Sequence, residues 1–313
     1  MAAKRKNSSH GLTFFGLLAS TTSFLRHRYR ETAAVLLVAI TLIGGGVYLW
    51  NWMGPSVNSD ARYTLTAERV EVTSQPEWIP VDVKNEVLVY AFQEERSLLD
   101  RDLALQMKQA FAMHPWVESV RRVSKHSPPR IVVELTYRRP VAMVVVELDD
   151  NNRGLLPVDS KSVLLPSEGF DAEVARSYPR IVVADAVPTG TVGTPWGDQR
   201  VLDGARIATV LQSQWHAFDL NGIEEERIDD SGHPLAQTTF SLTTQNGTRI
   251  RWGRAPGQEL PGEASADEKT ARLAEYVRNH GPFGAMQTPV VLDVRNEAGM
   301  STARKPADKN TPL

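Results

Sequence analysis

The run Thr32–Trp52, TAAVLLVAITLIGGGVYLWNW, holds no charged residue. The hydrocarbon core of a bilayer is about 30 Å thick, and a helix needs about 20 apolar residues to cross it. The run therefore predicts one transmembrane helix over residues 32–52, in contact with membrane lipid. Arg26, Arg28 and Arg30 stand just before it and Lys4, Arg5 and Lys6 further upstream, whereas polar, mixed-charge sequence beginning Gly54-Pro55-Ser56 follows. This Lys/Arg bias predicts a cytoplasmic tail over residues 1–31 and an extracytoplasmic bulk. Tyr48, Trp50 and Trp52 then fall at the outer interface, where amphipathic rings are favoured. A cleaved signal peptide has an apolar core of about 7–15 residues near its start and a small-residue cleavage site. This run is longer, begins later and lacks a clear A-x-A. A core helix would carry a polar stripe, and none is present.

At 313 residues the chain has room for two further domains. Charged residues make up 23% and the formal net charge is −2, so no global field draws it to nucleic acid. There are no cysteines, which removes disulfides, thiol catalysis and thiolate metal sites together.

From Tyr63 the pattern is that of a folded domain. Tyr63–Val72 alternates as a strand. Asp82 caps a helix in which Val83, Val87 and Ala91 recur at a spacing of four. A second helix starts near Asp100, places Leu103, Met107 and Phe111 on one face, and ends at Pro115. Val117–Val123 and Arg130–Tyr137 read as strands joined by a turn at Lys125–Pro129. The order β-α-α-β-β makes a small α+β unit in which two helices cover a three-stranded sheet. Beyond it, strands are expected at Val141–Val146, Leu155–Val158, Ser162–Leu165, Arg180–Val183, Thr239–Thr243, Thr248–Trp252 and Val290–Val294. Helices are expected at Val201–Phe218 and Asp267–His280. The second domain is thus a mixed, mostly antiparallel α/β structure over residues 141–300, with a polar, disordered tail at 301–313.

No motif carries catalysis. The seven histidines include no i, i+4 pair, and there is no H-E-x-x-H, G-x-S-x-G, P-loop or G-x-G-x-x-G. Asp149-Asp150, Glu224-Glu225-Glu226 and Asp229-Asp230 sit beside polar or turn residues and read as solvated surface. His114 reads as an imidazole meeting the last carbonyls of its helix. Trp116, Trp196, Trp215 and Trp252 read as packing residues. No enzyme, cofactor, metal site or small-molecule substrate is expected.

Pro115-Trp116-Val117 with Val120-Arg121-Arg122-Val123, then Ile131-Val132-Val133-Glu134-Leu135 and Arg138-Arg139-Pro140-Val141-Ala142, resembles the POTRA domain of the FtsQ/DivIB cell-division family. Leu155–Leu165, Gly247-Thr248-Arg249-Ile250-Arg251-Trp252-Gly253 and Val290–Gly299 are similar to later strands of the same family. The resemblance implies a single-pass inner-membrane protein with a POTRA domain at 63–140, acting as a non-enzymatic scaffold at the division site. It also implies partners of the FtsB/DivIC and FtsL type, bound through the terminal strand, with Val291, Asp293, Arg295, Asn296 and Gly299 as the residues concerned. The chain departs from the family pattern in the longer segment Arg254–Glu268 and in Asn296, where an aromatic often stands. The residues themselves allow a strand-addition mode: Val290–Gly299 reads as the last element and a free sheet edge, with Asp293, Arg295 and Glu297 on one parity to meet an incoming strand. The alternative function, a POTRA-bearing chaperone or secretion component of the envelope, calls for tandem repeats that the sequence lacks.

Overall fold

The computed structural model describes residues 34–49, 51, 64–91, 96–147, 152–226 and 238–304. The tail 1–31, Trp50, Trp52, the pairs Asp149-Asp150 and Asp229-Asp230, and residues 305–313 lie outside the described residues. The chain divides into two compact units, Met1–Thr64 with Ser97–Asp100, and Leu65–Arg96 with Arg101–Leu313.

In the first unit, residues 34–49 form a helix, α1, with its apolar side chains open on all sides. Ile40 is 68% and Leu42 71% exposed. Among the described residues no helix is long and apolar enough to cross a membrane, and the described part of α1 ends inside the 32–52 run.

The second unit is α+β. Its first sheet has three strands, β1 (Val70–Val72), β2 (Val117–His126) and β3 (Arg130–Tyr137), in the order β1-β3-β2. β3 pairs parallel to β1 and antiparallel to β2. Ile131, Val133 and Leu135 point to one side of β3 and are buried, as a period of two requires. The helices α2 (Val83–Ala91) and α3 (Leu103–Ala112) cover that side. Asp82 Oδ1 accepts the Asn85 N–H at 2.9 Å, and Leu103, Met107 and Phe111 are the buried face of α3. The expected strand 63–72 is interrupted by a 3-10 turn at Ala67–Arg69, so Val70–Val72 is the part that pairs with β3.

The second sheet has eight strands. They are β4 (Pro140–Glu147), β5 (Arg153–Asp159), β6 (Arg180–Val182), β7 (Gly222–Glu226), β8 (Thr239–Thr243), β9 (Arg249–Gly253), β10 (Val290–Asp293) and β11 (Ser301–Arg304). The order is β11-β10-β9-β8-β7-β6-β4-β5. The pairs β4/β5, β7/β8, β8/β9 and β10/β11 are antiparallel. The pairs β4/β6, β6/β7 and β9/β10 are parallel. Helices α4 (Ala172–Ser177), α5 (Gln199–Leu211), α6 (Trp215–Phe218) and α7 (Ala266–His280) complete the unit. Asp198 caps α5, which buries Val201, Ala205, Ile207, Ala208 and Leu211. Gly204 in its middle lies against Ile181 of β6, where a methyl group would press on the isoleucine side chain. The close approach explains a residue that otherwise weakens a helix by about 1 kcal/mol.

Four expectations are corrected. Ser162–Leu165 forms isolated bridges, not a strand. The helix expected over 201–218 is two helices, α5 and α6. Glu224-Glu225-Glu226 lies on β7 in the middle of the sheet, with Glu224 paired to Arg249, Glu225 to Arg200 and Glu226 to Arg251. Residues 301–304, expected in a disordered tail, form β11.

Pro115-Trp116 joins the two sheets. Trp116 is fully buried and its ring lies 6.3 Å from that of Phe170, which precedes α4. Gly193, at φ +90°, brings its backbone against Pro115. Arg138 Nη1 donates to Asp159 Oδ2 at 2.8 Å, and Lys161 Nζ to Glu118 Oε1 at 2.7 Å. Trp78 Nε1 donates to the Arg138 carbonyl at 3.1 Å while the Arg139 guanidinium sits 5.4 Å over its ring. The helix-then-hairpin sequence therefore places its aromatic at a junction, buried among packing partners.

Candidate functional site

The sheet pleat fixes which way the expected partner-binding residues face. β9 pairs β10 in parallel with Arg249 beside Val291, Ile250 beside Leu292 and Arg251 beside Asp293. Ile250, Trp252 and Leu292 are buried on one side. Val291 and Asp293 share the other side with Arg249 and Arg251, whose guanidinium groups reach Glu224 at 2.8 Å and Glu226 at 3.7 Å. That side is a belt of alternating charge.

The expected strand Val290–Gly299 is not one strand and not the rim of the sheet. β10 stops at Asp293, and β11 pairs along its outer side with Val290 opposite Arg304, Val291 opposite Ala303, Leu292 opposite Thr302 and Asp293 opposite Ser301. Arg295, Asn296 and Gly299 lie in the loop 294–300 that joins β10 to β11. Nor do Asp293 and Arg295 stand ready for an incoming charge. Arg295 Nε donates to Asp293 Oδ1 at 2.9 Å, its Nη2 to Oδ2 at 2.6 Å, and its backbone N–H to Oδ1 at 3.1 Å. Burial opposes ionisation of Asp293, but these bonds outweigh it and hold the carboxyl below its ordinary value. The same bond raises the Arg295 guanidinium, with Glu226 and Glu263 adding to it. Glu297, the third charge of the expected set, is exposed.

The loop is tied down as far as Glu297. Arg272 on α7 donates to the carbonyls of Val294 at 3.2 Å, Asn296 at 2.6 Å and Glu297 at 2.8 Å. From the segment before α7, the Ala264 N–H donates to the Arg295 carbonyl at 2.7 Å, and the Glu297 N–H donates to the Gly262 carbonyl at 3.2 Å. Asn296 bridges to Glu263, and its Oδ1 accepts the Ala298 N–H at 2.9 Å, an Asx turn. Gly299 closes the turn with its N–H on the Asn296 carbonyl at 3.1 Å and a φ of +138° that favours glycine.

Beneath the loop lies a buried ion cluster that the sequence did not reveal as one. Lys269 is 0% exposed, with Nζ 2.7 Å from Glu263 Oε1 and 5.3 Å from the centre of the Trp252 ring. Glu263 also accepts the Arg254 N–H at 2.8 Å. Burial works against its charge, but Lys269 and the backbone N–H groups of Arg254 and Leu260 prevail and lower its titration range. Gly253, at φ +90°, leaves room for the Glu263 carboxylate and the Arg295 stem, both of which a methyl group would strike. The detectable signal was Ser265-x-x-Glu268. It forms a capping box that starts α7 and orients Lys269 and Arg272.

Two clefts lie elsewhere. One, of about 620 Å³, opens at the C-terminal ends of β4, β6 and β7 among Val145, Glu147, Arg153, Val182, Asp185 and Glu224. The other, of about 450 Å³, runs between α2 and α3 among Val87, Tyr90, Ala91, Ala110 and Met113. His114 borders it. Its Nε2 is 3.0 Å from Glu86 Oε2, and its Nδ1 accepts the Trp116 N–H at 3.3 Å, so the ring's contacts are to α2 and to the segment entering β2, not to the last carbonyls of α3. Among the described residues no group of His, Asp and Glu is arranged to hold a metal ion.

The chain is similar to a cell-division protein. It is 25% identical over 197 residues to the cell division protein FtsQ of Myxococcus fulvus, a match covering 62% of this chain and 58% of that relative. The match thus spans less than two thirds of the relative's length, and it supports a distant FtsQ-like relationship. No family model matches the chain.

Proposed function

We propose that this chain is a non-enzymatic, single-pass membrane scaffold of the bacterial division machinery. Residues 32–52 anchor it with the N-terminus in the cytoplasm. A POTRA domain at 63–140 and a β domain from 141 onward then stand outside the membrane, at the division site. The β domain binds membrane division proteins of the FtsB/DivIC and FtsL type by strand pairing at the β10–β11 rim of the eight-stranded sheet.

The observation that carries this reading is the rim itself. The eight-stranded sheet ends in a short strand beside a loop fixed at Val294, Asn296 and Glu297 by Arg272. A sheet edge offers backbone groups to another chain, and alternate side chains select which chain pairs. The distant similarity to FtsQ supports the cellular setting. Confinement to the membrane raises the effective concentration of neighbouring partners, so that weak rim contacts suffice for assembly.

The test is affinity purification of the tagged full chain from solubilised membranes, beside the localisation of a fluorescent fusion. Expected are membrane division proteins in the eluate and fluorescence at mid-cell during constriction. An eluate free of them, or a reporter after Leu313 that is active only in the cytosol, refutes the proposal.

A further inference from the structure

The helices that cover the three-stranded sheet have an outer surface unlike a solvated one. Val89 and Tyr90 on α2, Leu105 on α3 and Met113 just after it are 56–85% exposed. The opposite faces of both helices already fill the core against the sheet. A helix that packs on one side normally turns charge to the other. α3, LALQMKQAFA, holds one charged residue, Lys108, and its other polar residues are Gln106 and Gln109. Between the helices, Tyr90 and Met113 border the cleft of about 450 Å³, with Val87, Ala91 and Ala110 also lining it. Glu86 and His114 at the same cleft are bonded to each other at 3.0 Å.

We propose that this outer face of α2 and α3 beds into the surface of a lipid bilayer, with phospholipid as its occupant. This rests on the reading of residues 32–52 as an anchor and adds a second, peripheral contact with the same membrane. Residues 53–64, twelve in number, join the anchor to the second unit, which begins at Leu65. Twelve residues span at most about 43 Å, and α2 and α3 are the first helices of that unit. The face is therefore held within reach of lipid, and such confinement turns a weak preference into occupancy. An exposed apolar patch marks contact with a protein or a membrane. The membrane is favoured because the most exposed side chains, Tyr90 and Met113, project from the surface. A protein partner needs a pocket shaped for each, whereas lipid yields around them. Tyrosine is favoured at the membrane interface, and methionine's unbranched stem adapts to irregular surroundings. The exposed polar neighbours Asn85, Gln106 and Gln109 carry no charge to be stripped of water.

The chain has no cysteine, so one introduced cysteine carries one spin label. Met113→Cys and, separately, Tyr90→Cys put the label on the proposed face. Glu134→Cys puts it on the exposed side of β3, away from the helices. Ile43→Cys puts it in the anchor. The full chain is reconstituted in vesicles of phosphatidylethanolamine and phosphatidylglycerol. Collision of the label with oxygen is compared with collision with a water-soluble nickel chelate present on both sides of the bilayer. The oxygen-to-nickel ratio is expected to be roughly fivefold higher at positions 90 and 113 than at 134, and highest at 43. Val89→Glu combined with Leu105→Glu, both at exposed positions, is expected to return position 113 to the ratio of 134. Equal ratios at 113 and 134 beside an immersed position 43 overturn this proposal and leave the anchor standing. A water-like ratio at 43 refutes the anchor and this proposal with it. Low collision with both reagents at 113 marks a protein contact, with a second copy or a partner, and overturns the lipid assignment, as does a paired glutamate variant that changes nothing.

Discussion

Replacing Lys269 by methionine is the sharpest single test of what holds the β10 end of the sheet. The methionine keeps the stem against the Trp252 ring and removes the ammonium that sits 2.7 Å from Glu263 Oε1. Breaking a buried pair by removing one partner costs about 3–5 kcal/mol, because the other charge is left uncompensated. Here the low end applies, about 3 kcal/mol, since Arg254 Nη1 remains 3.4 Å from Glu263 Oε2. In a domain of this size that lowers Tm by roughly 6–12 °C. Adding Glu263→Gln removes the orphaned charge while an amide oxygen still accepts the Arg254 N–H, so the double variant recovers about 2 kcal/mol. Trp116, Trp196, Trp215 and Trp252 are all buried and report unfolding by fluorescence in a denaturant titration of the full chain. A loss below about 1 kcal/mol for Lys269→Met, or a double variant no more stable than the single, refutes the buried-pair account.

Three further outcomes follow from the same geometry. Arg272→Ala is expected to destabilise by about 2 kcal/mol, the scale of charge-assisted bonds to backbone, and to raise hydrogen exchange at 294–297. Arg272→Lys is not expected to rescue it, because a point charge does not span three carbonyls. Trp116→Ala should cost about 3–5 kcal/mol through the cavity it leaves between the sheets. Its indole N–H has no hydrogen-bond partner among the described residues, so Trp116→Phe should retain most of that stability. Both Asp293 and Glu263 titrate below their ordinary ranges. For carboxyls lowered on folding, the stabilisation is complete above the unfolded pKa of about 4 and is lost as pH falls through the folded value. Denaturation midpoints taken from pH 7 downward should therefore decline below about pH 4, less steeply in Asp293→Asn.

What the sequence made legible was set by how much each segment depends on its own pattern. Leu103, Met107 and Phe111 repeat every four residues and Ile131, Val133 and Leu135 every two, and each set is buried together. β7 was missed for the opposite reason. Glu224, Glu225 and Glu226 carry charge at three successive positions, which erases the alternation, and their place in the sheet depends on Arg249, Arg200 and Arg251 from other elements. No local signal records such pairing. The single terminal strand was misread in the same way: residues 290–299 read as one strand because Val290, Val291, Leu292 and Val294 are apolar, while the bend after Asp293 is held by Arg272 and the 262–264 segment. Two departures from the FtsQ/DivIB pattern, the long segment before α7 and Asn296, meet in one bridge, Glu263 to Asn296. Residues from the long segment hold the loop that Asn296 turns, and that loop returns the chain to cover β10.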